Sequence, residues 1–152
     1  MLDIQQKVVK FLSSHAYCTI STIDSESNTP HSALVRYANH NLLIYCISAK
    51  KRKKVRNIAI NPKVSIVVCG RSFLIPPRSL IISGEATILE SDDNNAIKAF
   101  TSKRLPVSWI NSQAIRRAEK QSKDIAFIRV EPRMIRMNEF RNGFIRSEVL
   151  NV

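Results

Sequence analysis

A chain of 152 residues, 44% hydrophobic and 24% charged, is long enough to bury one proper core and too short for two, which excludes a disordered or multidomain protein. Its charge is unbalanced: 24 Lys and Arg against 12 Asp and Glu give +12, which favours anionic partners without choosing among nucleic acid, acidic lipid and phosphorylated small molecules. No apolar run approaches a membrane span, and the N-terminus has neither a basic n-region nor a long apolar stretch, so a soluble cytoplasmic protein is expected. Cys18, Cys46 and Cys69 form no CxxC pair, lie in apolar runs, and are predicted to be reduced core residues.

The chain opens with Ile4, Val8, Phe11 and Leu12 on one helical face, a packing helix ending near His15. Tyr17 to Ile23 alternates as a strand. A polar turn over Asp24 to Pro30 leads to a second strand, His31 to Tyr37, and Asn39-His40-Asn41 makes a tight connection to a third, Leu42 to Ile47. Short loops without a crossover helix predict an antiparallel meander. After a short basic helix the chain turns at Asn61-Pro62 into the strand Val64 to Val68. A loop from Arg71 to Arg78 follows, then a long strand from Ser79 to Glu90 with a bulge expected at Gly84. Asp92-Asp93 caps a helix from Asn94 to about Lys103, and Pro106 starts another reaching Gln121. Ile125 to Val130 and Met134 to Met137 read as two strands separated by Glu131-Pro132-Arg133. The tail from Asn138 has no clear periodicity.

The most informative stretch joins the third and fourth strands. Six of the seven residues from Lys50 to Arg56 are Lys or Arg, following an apolar strand that stops at Ser48-Ala49. A helix start has unpaired N–H groups and a partial positive charge, which suits a phosphate. Ser48 can cap that helix or donate its hydroxyl to a phosphate oxygen, and Lys53 and Lys54, one turn in, can neutralise it. A solvated basic helix is the alternative.

Familiar catalytic patterns are missing from the sequence. With Gly70, Gly84 and Gly143 as its glycines, it has no GxGxxG and no P-loop; it also lacks HExxH and GxSxG. His15, His31 and His40 show no metal-ligand spacing. Any hard chemistry therefore falls to a bound cofactor. Nucleic acid is the competing partner, since Arg116, Arg117, Lys120 and Lys123 form a second basic cluster. No docking motif or aromatic interleaving accompanies them.

The element order resembles that of the pyridoxamine 5'-phosphate oxidase-like flavin-binding split barrels. The likeness is carried by Leu42 to Ser48, by Lys53-Lys54-Val55-Arg56-Asn57-Ile58 and by Asn61-Pro62-Lys63-Val64-Ser65. Ser83-Gly84-Glu85-Ala86 and Glu131 to Arg136 are similar to the family's long strand and closing hairpin. Lys98-Ala99-Phe100, Arg104-Leu105-Pro106-Val107 and Asn142-Gly143-Phe144 look like its YhbP-like branch.

The resemblance implies a mainly β, α+β fold: an antiparallel split β-barrel of six to seven strands with packing helices, one domain over residues 1–152 with 139–152 as a tail. It implies a homodimer with flavin mononucleotide (FMN) at the subunit interface and flavin-dependent oxidoreductase activity on a small molecule. A deazaflavin or haem is the alternative cofactor, and a flavin carrier or sensor the alternative role. By matched position, Lys53 and Lys54 bind the phosphate with Ser48 donating to it, and Ile47 and Ser48 lie beside the ribityl chain. His31 to Arg36 line the ring through strand backbone, with Arg36 at the usual basic position. Ser79 contacts ring or ribityl, on the other subunit's ligand. The tail Arg141 to Arg146 is not the C-terminal Arg motif of the vitamin B6 oxidases, so that specific activity is not expected.

Overall fold

Asp3 begins the fold. Its carboxylate accepts from the Gln6 backbone N–H at 2.7 Å while the Gln6 side chain accepts from the Asp3 N–H at 3.1 Å. This reciprocal capping box starts α1 (Ile4–Ser13), whose Val8 and Leu12 are buried with Ile4 and Phe11 packed beside them. The structure, a computed structural model, describes residues 1–70, 77–103 and 124–152. The predicted helix from Pro106 to Gln121, the basic cluster Arg116, Arg117, Lys120 and Lys123, and most of the loop from Arg71 lie outside the described residues.

β1 (Tyr17–Asp24), β2 (Thr29–His40) and β3 (Leu43–Ala49) form the expected antiparallel meander. Asn39 and His40, expected in the connection, instead pair with Ile44 and Leu43 as the end of β2. The turn needs only Asn41 and Leu42, because Asn41 takes a left-handed conformation (φ 51°) that asparagine tolerates. Then follow α2 (Lys53–Ile60), β4 (Lys63–Cys69), β5 (Arg78–Leu89), α3 (Asn94–Ser102), β6 (Ile125–Arg141) and β7 (Phe144–Asn151). Neighbouring strands run β3-β2-β1-β4-β5-β6-β7, and β3 also pairs with β6, so the first six strands close into a barrel. The mainly β split barrel with packing helices is thus the fold of this chain.

Two C-terminal readings need correction. Glu131-Pro132-Arg133 does not separate two strands; β6 runs through it for 17 residues. Proline has no N–H for the ladder, and it is accommodated where the register slips: Ser83 faces Met134 but Gly84 faces Pro132, leaving Arg133 extra. The bulge expected at Gly84 is there, with its extra residue on the opposite strand. The tail from residue 139 is not irregular either. Asn142 (φ 49°) and Gly143 (φ 79°) make a two-residue left-handed turn, and β7 folds back along β6.

Alternation sends side chains into two layers. Val35 and Tyr37 of β2 and Ile44 and Cys46 of β3 face the barrel interior with Ile20, Ile66, Ile82 and Ile128. Ala38 and Tyr45 face the other way, against Ala96, Ala99 and Phe127, where α3 packs. Asp93 caps α3 as expected, accepting from the Ala96 N–H at 2.9 Å. Cys18 and Cys46 are buried free thiols, but Cys69 ends β4 and is exposed, contrary to the expected core position.

Lys103, just past α3, ties that layer to α1. Its ammonium donates to the carbonyls of Leu12 and Tyr37, both at 3.2 Å, and lies 3.7 Å above the Tyr37 ring. Burial, with Arg36 adding repulsion and the Cys18 and Cys46 thiols acting oppositely, lowers its pKa from 10.5 to about 8. Between those two values the unfolded chain holds a proton on Lys103 that the folded chain has released, so the Lys103 contribution to stability rises with pH. Lys103→Met is expected to flatten that rise in urea denaturation between about pH 8 and 10. An identical slope in both proteins would contradict the assignment.

Candidate functional site

The barrel wall is split beside α2. β2 pairs with β3 only over Tyr37 to His40; residues 29–36 pair with β1 on one side and have no strand on the other among the described residues. Across the gap, Ile47, Ser48 and Ala49 pair with Phe127, Ala126 and Ile125 of β6 but not with β2. Among the described residues, two backbone edges thus keep N–H and C=O groups without a strand partner, the kind of surface that can hold a flat polar-edged ligand. α2 packs on β1, β2 and β5, anchored by buried Val55 and Ile58, so its N-terminus lies by this gap.

Buried polar residues gather here. Thr22, Asp24, Ser48, Lys54 and Asn57 are buried around α2, while Asn138 is buried elsewhere on β6. Asn57 donates to the Thr22 hydroxyl at 3.0 Å, which itself donates to the His31 carbonyl at 3.4 Å. The Lys53 ammonium meets the Asp24 carboxylate at 2.6 Å. That bond first, then the Ser27 hydroxyl and the Glu26 N–H, hold the Asp24 carboxyl down at about 2, so it is ionised at neutral pH. Lys54 differs from its neighbour. It is only 9% exposed and makes no ion pair among the described residues. Burial, and repulsion from Arg52, lower its pKa while the nearby Cys46 opposes them. On β2 the His31 Nδ1 is buried with no hydrogen-bond partner among the described residues. A largely buried lysine without an ion pair and a buried ring nitrogen without a hydrogen-bond partner, among the described residues, thus lie near the open edges.

The predicted site residues divide into three places. Ser48, near the end of β3, and Lys53 and Lys54, at the start of α2, are neighbours along the chain, with two corrections. Arg52, not Ser48, occupies the N-cap, without a side-chain cap bond; the Ser48 hydroxyl donates to the Ala49 carbonyl at 3.2 Å. A turn over residues 50–52 intervenes, so the helix starts too late for Ser48 to reach it as a cap. For the same reason Lys53 and Lys54 are the first two helical residues rather than one turn in. Of the basic block, Lys50 pairs with Glu90 at 2.6 Å.

Arg36 and Ile47 occupy the next register positions beyond Tyr37 and Cys46, on the face opposite Ser48; Ile47 packs with the α3 layer. Ser79 lies between Cys69 and Asn138. Asn138 is twelve residues along β6 from Ala126, the partner of Ser48, so Ser79 does not join Ser48 within one chain. Sequence reasoning missed Asp24, Thr22 and Asn57, and saw His31 only as strand backbone. No local signal marks them: Asp24 reads as a turn residue, and its partner lies far along the chain.

Grooves lie elsewhere on the described residues. One of 500 Å³ is lined by His15, Tyr17, Cys18, Leu34 and Cys69, and one of 470 Å³ by His40, Leu43, Tyr45, Lys98 and Ala99. Neither includes Ser48, Lys53 or Lys54.

Solved structures share the architecture. General Stress Protein 26 from Bacillus anthracis str. Sterne is 18% identical, with 99% of this chain and 100% of that chain covered, at a TM-score of 0.70. The FAD binding protein from Mycobacterium smegmatis is 23% identical, covering 92% and 98%, at 0.65. A heme binding protein from the same organism is 15% identical at 0.73; 99% of this chain is covered but only 59% of that one. At these identities the likeness is one of fold. No curated protein matches the chain. The sequence matches the pyridoxamine 5'-phosphate oxidase family over residues 4–139, which spans α1 through most of β6. The chain belongs to the pyridoxamine 5'-phosphate oxidase family.

Proposed function

We propose that this protein binds flavin mononucleotide at the split and acts as a flavin-dependent oxidoreductase on a small molecule. The observation that carries the reading is Lys54, a residue only 9% exposed at a helix start, with no anion of its own among the described residues. A phosphate there gains that cation, the first-turn N–H groups and the Ser48 hydroxyl. The ring then has the open edges of β2 and β3, where the buried His31 Nδ1 has no partner. Bound flavin supplies a two-electron acceptor at N5; the chain's own residues orient it and exclude water. The family membership and the FAD-binding neighbour support flavin, while the heme-binding neighbour keeps haem as the alternative cofactor. Placement in the YhbP-like branch rests on Lys98-Ala99-Phe100, Arg104 to Val107 and the Asn142-Gly143-Phe144 turn.

A homodimer fits the same reading. Ser79 reaches such a site only from a second copy, and Leu34, 73% exposed beside the groove at Tyr17, is apolar surface a second copy would cover. Titration of FMN by fluorescence quenching, with riboflavin as the phosphate-free control, tests the cofactor. FMN is expected to bind at least about tenfold tighter than riboflavin, as a charge-assisted phosphate contact implies. Equal binding of both would sink the phosphate seat.

A second reading has its own observation. Lys51, Arg52, Arg56 and Lys63 are exposed on and around α2, a basic face open to nucleic acid. Steep loss of binding with salt distinguishes that surface from a buried flavin site.

A further inference from the structure

The two lysines at the start of α2 are not equivalent, although the sequence presents them as a pair. Lys53 already has its anion, the Asp24 carboxylate at 2.6 Å, whereas Lys54 has none among the described residues. Asp24 is fixed there. Its side chain accepts from the Glu26 N–H at 3.1 Å, and it ends β1, whose partner position is Thr29 at the start of β2. Counted without the exposed Arg52 at the N-cap, the side chains of Asp24, Lys53 and Lys54 sum to one net positive charge, where the two lysines alone would sum to two. A flavin monophosphate carries about −1.5 to −2 at neutral pH.

We propose that Asp24 is a specificity-determining carboxylate that sets the charge of the phosphate seat and weakens its hold on a doubly charged phosphomonoester. This rests on the flavin reading. It differs from a positioning role, in which Asp24 would aim Lys53 at the phosphate and its loss would weaken binding.

Charge counting separates the two roles. Asp24→Asn raises the seat to +2, Lys53→Gln lowers it to about zero, and the double variant restores +1, on the side-chain charges. The asparagine keeps an oxygen for the Glu26 N–H, so the turn is retained.

The test is the dissociation constant of FMN, with riboflavin as the phosphate-free probe, for wild type, Asp24→Asn, Lys53→Gln and the double variant at low salt. Circular dichroism confirms that each is folded. Asp24→Asn is expected to tighten FMN by about five- to tenfold, the order expected of one partly screened charge at close range. Lys53→Gln is expected to weaken it by a similar factor. The double variant should lie within about twofold of wild type, and riboflavin should be unchanged throughout.

Weakened or unchanged FMN binding by Asp24→Asn would overturn the proposal, as would equal shifts for riboflavin. If wild type and all variants bind neither compound, the flavin reading itself falls and the proposal falls with it.

Discussion

Replacing Gly84 by alanine is expected to destabilise the protein by about 3 kcal/mol, the largest loss among its glycines. A Cβ at Gly84 would lie 2.2 Å from the Glu131 carbonyl oxygen, 3.0 Å from the Glu131 carbonyl carbon and 3.1 Å from the Pro132 Cα. All three are backbone atoms of the facing strand at the bulge, so relief requires moving β6 itself. β6 also carries Ala126 beside Ser48, and a shift there reaches the split. The control is Gly70→Ala, whose Cβ would meet the His15 and Phe11 side chains at 3.3 and 3.4 Å. Those rings can give by a few tenths of an ångström, so its cost should be under about 1 kcal/mol. Urea denaturation of both variants decides. Equal effects would mean that the bulge relaxes and that glycine is not required by the strand contact.

Lys54→Met is expected to lower FMN affinity at least about tenfold, some 1.4 kcal/mol, while leaving the ligand-free protein no less stable than wild type. The two effects have one cause. Burial and the like charge of Arg52 both disfavour the Lys54 ammonium, so a thioether of similar length removes a cost rather than a bond. The same charge is what a phosphate would neutralise. Denaturation and FMN titration are run on one preparation. Unchanged affinity with lost stability would make Lys54 a packing residue and remove the argument for a phosphate seat.

Much of this fold was legible because local signals and packing agree. The Ile4, Val8, Phe11, Leu12 stripe, the alternating Tyr17 strand and the Asp93 cap each state one structure, and each forms. The β6–β7 hairpin was legible and went unread: Asn142-Gly143 between Phe140-Arg141 and Phe144-Ile145 is a two-residue turn signal. Pro132 misled for the opposite reason. Its missing N–H argues against a strand interior, and only the bulge opposite Gly84, set by a strand some fifty residues earlier, makes room for it.

The site was legible as a charge run and no further. Lys53 and Lys54 are adjacent and chemically alike, so nothing local says that one is paired and the other is not. Asp24 on β1 makes that difference, through a contact that exists only once α2 has packed on β1. Ser48 as a cap failed over three residues, because the chain turns at 50–52 before the helix begins.

The most direct test of the account is the visible absorption spectrum of the freshly purified protein after dialysis, followed by addition of FMN and removal of the unbound excess. Flavin bands that stay with the protein, before or after loading, are the expected result. A colourless protein that releases all added FMN would contradict a flavin site at the split and leave the basic start of α2 as an anion-binding surface on a shared fold.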